Sequence, residues 1–334
     1  MTDLIRIIRD DFPRRRVAVI GDVVADQYLY GTISRVSREA PVFILQHDET
    51  RTLPGGAANA AANIASLGAT PILIGCSGQD ANGESLVKEL AEKGVRSDHL
   101  FRSSGTVTTT KQRVLAGHYY GPRQQVIRID FGDPHSLSNE LEDQLITKFS
   151  EAAEQLDGAV VSDYGYGCVT PGVYRAVLET CAARNIPLVV DSRHRLGELT
   201  GATSATPNRE EVEEILGAAP DDVACEQLRE RLRLAALLVT HGNKGMTLYE
   251  SGGAKHLDVV GGDEPVDVTG AGDTVIAAYT LGLASGISFI DAAIIANHAG
   301  GLAVMKHRTA AVDGRELMAS LRNVSPQASA APTE

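Results

Sequence analysis

A carboxylate stands behind two glycines at the head of an apolar segment in Thr269-Gly270-Ala271-Gly272-Asp273-Thr274, which VIAAYTLG follows. Glycine lets the backbone turn so that successive N–H groups point one way, and the first turn of a helix adds partial positive charge. The N–H groups of Gly270, Ala271 and Gly272 can thus cradle a phosphate in transfer, while Asp273 takes the proton of an attacking hydroxyl. An ordinary helix start, with Asp273 satisfying free N–H groups, accounts for the same residues. The sequence holds no G-x-x-x-x-G-K-[ST]. GAGDTV lacks the third small residue of the dinucleotide fingerprint and lies late in the chain, which disfavours hydride transfer.

Four further constellations carry two readings each. In LPGGAANAAANIASLG (53–68), Gly55 and Gly56 allow close approach to a ligand and Asn59 can donate to and accept from a sugar hydroxyl; a tight turn before an alanine-packed helix explains them equally. In TPNREEVEEILG, Asn208 and Glu211 form either a capping box or a polar pair ordering the waters of Mg²⁺. In VTHGNKGMTLY, Thr240, Gly242, Lys244 and Gly245 make a nucleotide-binding loop or a hairpin turn. Lys111 and Arg113 are two apart and share a strand face, and Arg128 lies on the next strand. Three cations there suit a substrate phosphate, or simply protect a solvated strand edge.

The elements that must position these groups follow from periodicity. Short apolar runs at 17–20, 71–75, 158–163, 187–192 and 236–242 alternate with helical segments, which predicts a largely parallel sheet covered on both faces. Ligands bind such sheets beyond the C-terminal strand ends, where Asp22, Asp26, Asp163, Asp191 and Thr240 stand. Residues 27–50 and 104–131 alternate polar and apolar types and predict a small β lid inserted into one α/β domain over 1–320. Residues 2–12 predict a short helix, 273–320 predict helices, and 321–334 predict a disordered tail. The chain has 334 residues, 43% of them hydrophobic, enough for a large core. Its net charge of -12 argues against general nucleic-acid binding but permits a local basic pocket. No apolar run reaches the ~20 residues of a membrane span, and the charged N-terminus has no signal region. Cys76, Cys168, Cys181 and Cys225 form no CxxC pair, which predicts reduced cysteines in a cytoplasmic protein.

Taken together, GDxxxD (21–26), PGGAANAAANIASLG, TPNxxE, VTxGxxG and DVTGAGDT, in this order, resemble the ribokinase-like (phosphofructokinase B) sugar kinases over about residues 15–320. GDVVADQYLYGTISRVSREAPV, TTTKQRVL and QQVIRIDF are similar to the kinase domains of D-glycero-β-D-manno-heptose 7-phosphate kinases of the bacterial ADP-heptose pathway. That resemblance implies ATP-dependent phosphorylation of the anomeric hydroxyl to give the 1,7-bisphosphate. It implies Asp273 as general base and the 270–272 backbone as anion hole. Asp26, Gly55, Gly56, Asn59 and Asp163 would contact the sugar, with Lys111, Arg113 and Arg128 on its phosphate. Asn208 and Glu211 would organise Mg²⁺, and Thr240, Gly242, Lys244, Gly245 and Asn297 would line the ATP site. Asp267 and Thr269 match positions that help bind a monovalent cation such as K⁺, and the lid would form a homodimer interface.

Four departures stand against it. No HxGH motif of the second, nucleotidyltransferase domain of bifunctional relatives occurs, so the kinase activity alone is expected. DSRHR (191–195) replaces an expected DPK, AGHYYGPR (116–123) is a longer hairpin loop, and MKHRTAAV (305–312) lacks a glycine of the cation loop. Another sugar or sugar-phosphate kinase of the superfamily, or a sugar- or nucleotide-binding sensor without catalysis, remains as an alternative.

Overall fold

The computed structural model describes residues 2–118, 121–132, 137–261, 266–306 and 311–323. Helix α1 (Thr2–Arg6) continues in short helical turns to Arg14 and leads into β1 (Arg16–Gly21). Two long strands follow, β2 (Val23–Val36) and β3 (Phe43–Gly56), then α2 (Ala57–Ser66) and β4 (Thr70–Gly78). Next come α3 (Ala81–Glu92), β5 (Leu100–Ser103), β6 (Thr110–Gly117), β7 (Gln124–Phe131) and α4 (Asn139–Ala152). Alternation then resumes with β8 (Gly158–Asp163), α5 (Pro171–Arg184), β9 (Leu188–Ser192), the two-residue β10 (Ser204–Ala205), α6 (Arg209–Leu216) and α7 (Asp222–Arg231). An antiparallel run of β11 (Ala236–Thr240), β12 (Met246–Glu250) and β13 (Gly253–Leu257) precedes α8 (Ala271–Ala284), α9 (Phe289–Val304) and α10 (Gly314–Asn323).

Among the described residues, nine strands form one sheet in the order β13-β12-β11-β10-β9-β8-β1-β4-β5, parallel from β11 to β5. The apolar runs are continuous because both faces are covered. Val17 and Val19 of β1 point into a core with α2, α8 and α9, while Ala18 and Ile20 point to the other face, against α4 and α5. Chain order reverses between β8 and β1, so a crevice opens there beyond the C-terminal strand ends, where open α/β sheets bind ligands.

A second sheet, β3-β2-β6-β7, is the predicted lid. Its strands begin earlier and end later than periodicity indicates: β2 starts at Val23 and β3 runs to Gly56. The pair Gly55-Gly56 is therefore not a tight turn but the end of β3, where it meets α2. A Cβ on Gly55 would stand 2.5 Å from Asp26 Oδ2, and Gly56 has φ +55. The last helix reaches Asn323, past the expected boundary at 320; residues 324–334 of the predicted tail lie outside the described residues. Among the described residues no helix is long and apolar enough to cross a membrane. Three of the four free cysteines are buried and Cys76 is half-buried.

Candidate active site

The crevice at the sheet's reversal point holds Asp273. Helix α8 starts at Gly270, which takes the left-handed conformation (φ +79) that glycine adopts without strain. Ala271 donates its N–H to Val268 O (3.3 Å) and Thr274 to Gly270 O (3.2 Å). Of the expected 270–272 cradle the Ala271 N–H is occupied, while the N–H groups of Gly272 and Asp273 find no acceptor among the described residues.

Asp273 is 3% exposed and both carboxylate oxygens are engaged. Asn59 Nδ2 donates to Oδ2 (2.7 Å), and the Tyr164 hydroxyl donates to Oδ1 (2.9 Å). Asn63 and Thr274 tie the two helices together behind this pair: Asn63 Nδ2 donates to Asn59 O, and Thr274 Oγ1 donates to Asn63 Oδ1. The alanines of α2 allow that approach, since Ala57, Ala58, Ala60 and Ala61 are all fully buried. Burial raises the Asp273 carboxyl from 3.8 to about 6, against the lowering effect of its two donors. A base near the working pH with an oriented lone pair fits proton abstraction from a hydroxyl.

Tyr164 was not among the residues singled out from sequence. Its loop is fixed by Asp22, which accepts the N–H groups of Tyr164 (2.8 Å), Tyr166 (3.0 Å) and Cys168 (2.9 Å). Asp163, expected on the sugar, is instead 2% exposed; it accepts Ser192 Oγ (2.7 Å) and the Gly165 N–H (3.2 Å) and so holds loops together. The signal available in sequence was position alone: SDYG leaves the end of β8, beside β1.

Above the crevice the lid register sets Arg113 opposite Arg128 and Lys111 opposite Asp130, so the three cations do share one face. They do not form an open triad. Arg113 pairs with Asp26 (2.5 Å) and Arg128 with Asp130 (2.9 and 3.0 Å), because each cation has a carboxylate on the same face within reach. Lys111 has no ion pair among the described residues. Its Nζ lies 5.2 Å from the Tyr164 ring centroid and 5.4 Å from that of Tyr166. Burial lowers its pKa, and Arg193 lowers it further.

On the other side of α8 a cavity of about 260 Å³ is lined by Thr240, Gly242, Gly245, Ala271, Gly272 and Asn297, with apolar walls from Val259, Val260, Val268 and Val275. Lys244 is exposed on the 242–244 turn and is not part of that lining. Asn297 Nδ2 donates to Asp258 O (2.7 Å). Asn208 joins Thr240 through a parallel bridge and caps α6 in a full capping box with Glu211: the Asn208 N–H donates to Glu211 Oε2 (2.8 Å), the Glu211 N–H to Asn208 Oδ1 (2.9 Å). Glu211 keeps Oε1 for another partner. The half-buried carboxyl of Asp191 stands near it; burial raises Asp191 well above the usual carboxylate range, and the charges of Glu211 and Asp273 add to this. Hard oxygen donors so sparsely set suit Mg²⁺ that keeps most of its waters. Asp267 Oδ1 accepts the Thr269 N–H (2.9 Å), while 262–265 and 307–310, including part of MKHRTAAV, lie outside the described residues, as do 119 and 120 of AGHYYGPR. A larger cavity, about 570 Å³, lies across the 164–168 loop; Asp273 does not line it.

Residues 14–313 match the family described as pfkB family carbohydrate kinase. The chain belongs to that family. It is therefore an ATP-dependent carbohydrate kinase in class. The bifunctional protein HldE of Azorhizobium caulinodans is 39% identical over 318 residues, covering 93% of this chain. The chain spans 65% of that relative's length. Among solved structures, Arabidopsis thaliana ribokinase complexed with ribose and ATP superposes with TM-score 0.69 at 20% identity, covering 92% of this chain and 98% of that one. Phosphofructokinase-2 of Escherichia coli in complex with potassium gives 0.71 at 20% identity with the same coverage. These likenesses show a ribokinase-like fold for this pfkB kinase.

Proposed function

We propose that this pfkB kinase transfers the γ-phosphoryl group of ATP to the anomeric hydroxyl of a sugar that already carries a phosphate, namely D-glycero-β-D-manno-heptose 7-phosphate. The observation that carries the reading is the placement of Asp273 between Asn59 and Tyr164, under a lid whose Lys111 faces the crevice without an ion pair among the described residues. The similarity to HldE proteins supports a heptose phosphate as the acceptor among sugar phosphates. The sugar lies between the lid and the end of β8, with Asp26, Gly55 and Asn59 on its hydroxyls and Lys111 toward its phosphate. ATP lies in the cavity walled by Val259 and Val260, its phosphates toward Gly272 and Glu211. Asn208 and Glu211 would hold Mg²⁺ through its waters, and the ion would supply charge neutralisation at the phosphates. Asp273 accepts the hydroxyl proton, and the N–H groups of Gly272 and Asp273 receive the charge on the moving phosphoryl group.

The lid excludes water, which limits hydrolysis of ATP. Ile127, Ile129 and Phe131 line its opposite face and are exposed, which supports a second copy of this chain as partner. K⁺ at Asp267 and Thr269 and a cytoplasmic setting belong to the same reading. Product analysis by ³¹P and ¹H NMR tests it: a new phosphomonoester coupled to the anomeric proton is expected, and phosphorylation at any other carbon overturns the assigned acceptor.

A further inference from the structure

Strand order lays the chemistry out in sequence across the sheet. From β11 to β1 the C-terminal ends present Thr240 beside the nucleotide cavity, then Asn208 and Glu211 after β10, Arg193 after β9, Tyr164 after β8, and Asp26 after β1. Neighbouring strands lie about 4.8 Å apart. Arg193 therefore stands at the middle position, between the groups assigned to the nucleotide phosphates and the pair Tyr164–Asp273 assigned to the acceptor.

The DSRHR segment is built to present that side chain. The Arg193 N–H donates to Asp163 O (3.1 Å). Ser192 Oγ donates to the Asp163 carboxylate (2.7 Å) and accepts the Arg195 N–H (3.1 Å), and Arg195 Nη1 donates to Val169 O (2.9 Å). With its backbone, Ser192 and Arg195 fixed, Arg193 itself stays exposed and makes no ion pair among the described residues. Its guanidinium carbon lies 4.7 Å from the centroid of the Tyr164 ring, the ring whose hydroxyl holds Asp273. Burial raises the carboxyls of Asp191, Glu211 and Asp273, and the charge of Arg193 draws each back.

We infer that Arg193 is a catalytic residue whose planar guanidinium binds the equatorial oxygens of the phosphoryl group as it crosses from ATP to the acceptor. The inference rests on the kinase reading above. In the step, the acceptor oxygen bonds to the γ-phosphorus, the bond from that phosphorus to the β–γ bridging oxygen breaks with its electron pair staying on ADP, and the acceptor proton goes to Asp273. Arg193 exchanges no proton; it offers parallel N–H donors to oxygens that gain charge, which a lysine matches less well. Lys111, on the lid, serves the phosphate the sugar brings with it, and the two cations separate by their kinetic signatures.

The test uses Arg193→Ala and Arg193→Lys in the full chain. Thermal unfolding midpoints of both variants and their affinity for Mg²⁺–ADP should match the wild type. In Arg193→Ala, kcat should fall about 10³-fold or more with acceptor KM within a few-fold, and added guanidinium ion should restore part of it. Aluminium fluoride with Mg²⁺–ADP mimics the phosphoryl group in flight, and the affinity it adds in the wild type should be lost in the variant. Unchanged kcat, or a loss confined to acceptor KM, overturns the inference. Should the wild type phosphorylate no acceptor at all, the kinase reading fails, and the aluminium fluoride titration still decides on Arg193: an equal gain in both proteins, or none in the wild type, overturns it.

Discussion

Asp273→Asn should make the fold more stable at neutral pH while abolishing most turnover. The native carboxyl titrates at about 6 against 3.8 for an unperturbed one. The folded state therefore binds the proton more tightly than the unfolded chain. The contribution of this one group to stability is greatest below pH 3.8, falls as pH rises through that window, and is lowest above about 6. About two pH units at ~1.4 kcal/mol each set the penalty at neutral pH at about 3 kcal/mol. Asparagine cannot ionise and escapes it, but offers one acceptor where the carboxylate offers two, which costs about 1 kcal/mol at Asn59 or Tyr164. The net gain is about 2 kcal/mol, a rise of a few degrees in Tm for a domain this large. Thermal unfolding of both proteins followed by circular dichroism at pH 4.5 and 7.5 reads it directly. The variant's advantage should appear at pH 7.5 and shrink or reverse at pH 4.5. An advantage equal at both values would mean that the ionised carboxylate is not strained by its burial. In the same variant, turnover should drop by about 10²–10⁴-fold or more, the contribution of a general base.

The other predictions concern the groups around the base and on the lid. Tyr164→Phe removes the donor to Asp273 Oδ1 but keeps the ring. The acidic limb of the kcat/KM profile should move up by about half to one pH unit, and an unmoved limb would exclude the hydroxyl from tuning the base. Lys111→Ala should raise KM for a phosphorylated acceptor by about 10–100-fold and leave KM for ATP unchanged, which steady-state kinetics checks. Gly55→Ala would push a methyl to 2.5 Å from Asp26 Oδ2 and disturb the Asp26–Arg113 pair. Acceptor affinity should fall about 10-fold or more, with calorimetric ATP binding intact.

The sequence made the sheet legible because its parallel strands are buried on both faces and read as unbroken apolar runs. The lid was legible because Lys111 and Arg113 alternate with Gln112 and Val114, the pattern of a half-exposed strand. Asp273, Asn59 and the Asn208–Glu211 capping box sit at helix starts, where glycine, asparagine and acidic residues leave local marks. What sequence could not show were pairings across long chain separations. Asp26 lies 87 residues from Arg113, yet it neutralises that cation and, with Asp130 on Arg128, leaves Lys111 as the member of the expected triad without an ion pair among the described residues. Tyr164 reaches Asp273 from 109 residues away. Asp163 belongs to a strand end much as Asp22 does, and only the fold reveals that its side chain turns inward to Ser192. Arg193 reads as a departure from the family pattern until β9 is seen to stand between β10 and β8.

The central claim is tested most directly by ADP release from ATP and Mg²⁺ with a panel of acceptors: D-glycero-D-manno-heptose 7-phosphate, sedoheptulose 7-phosphate, fructose 6-phosphate, ribose and adenosine. The manno-heptose phosphate should give the highest kcat/KM by at least about 100-fold over the neutral acceptors, since Lys111 finds a charge partner only in a phosphorylated acceptor. Preference for ribose or adenosine would contradict the account and leave the lysine on the lid without a substrate phosphate to hold.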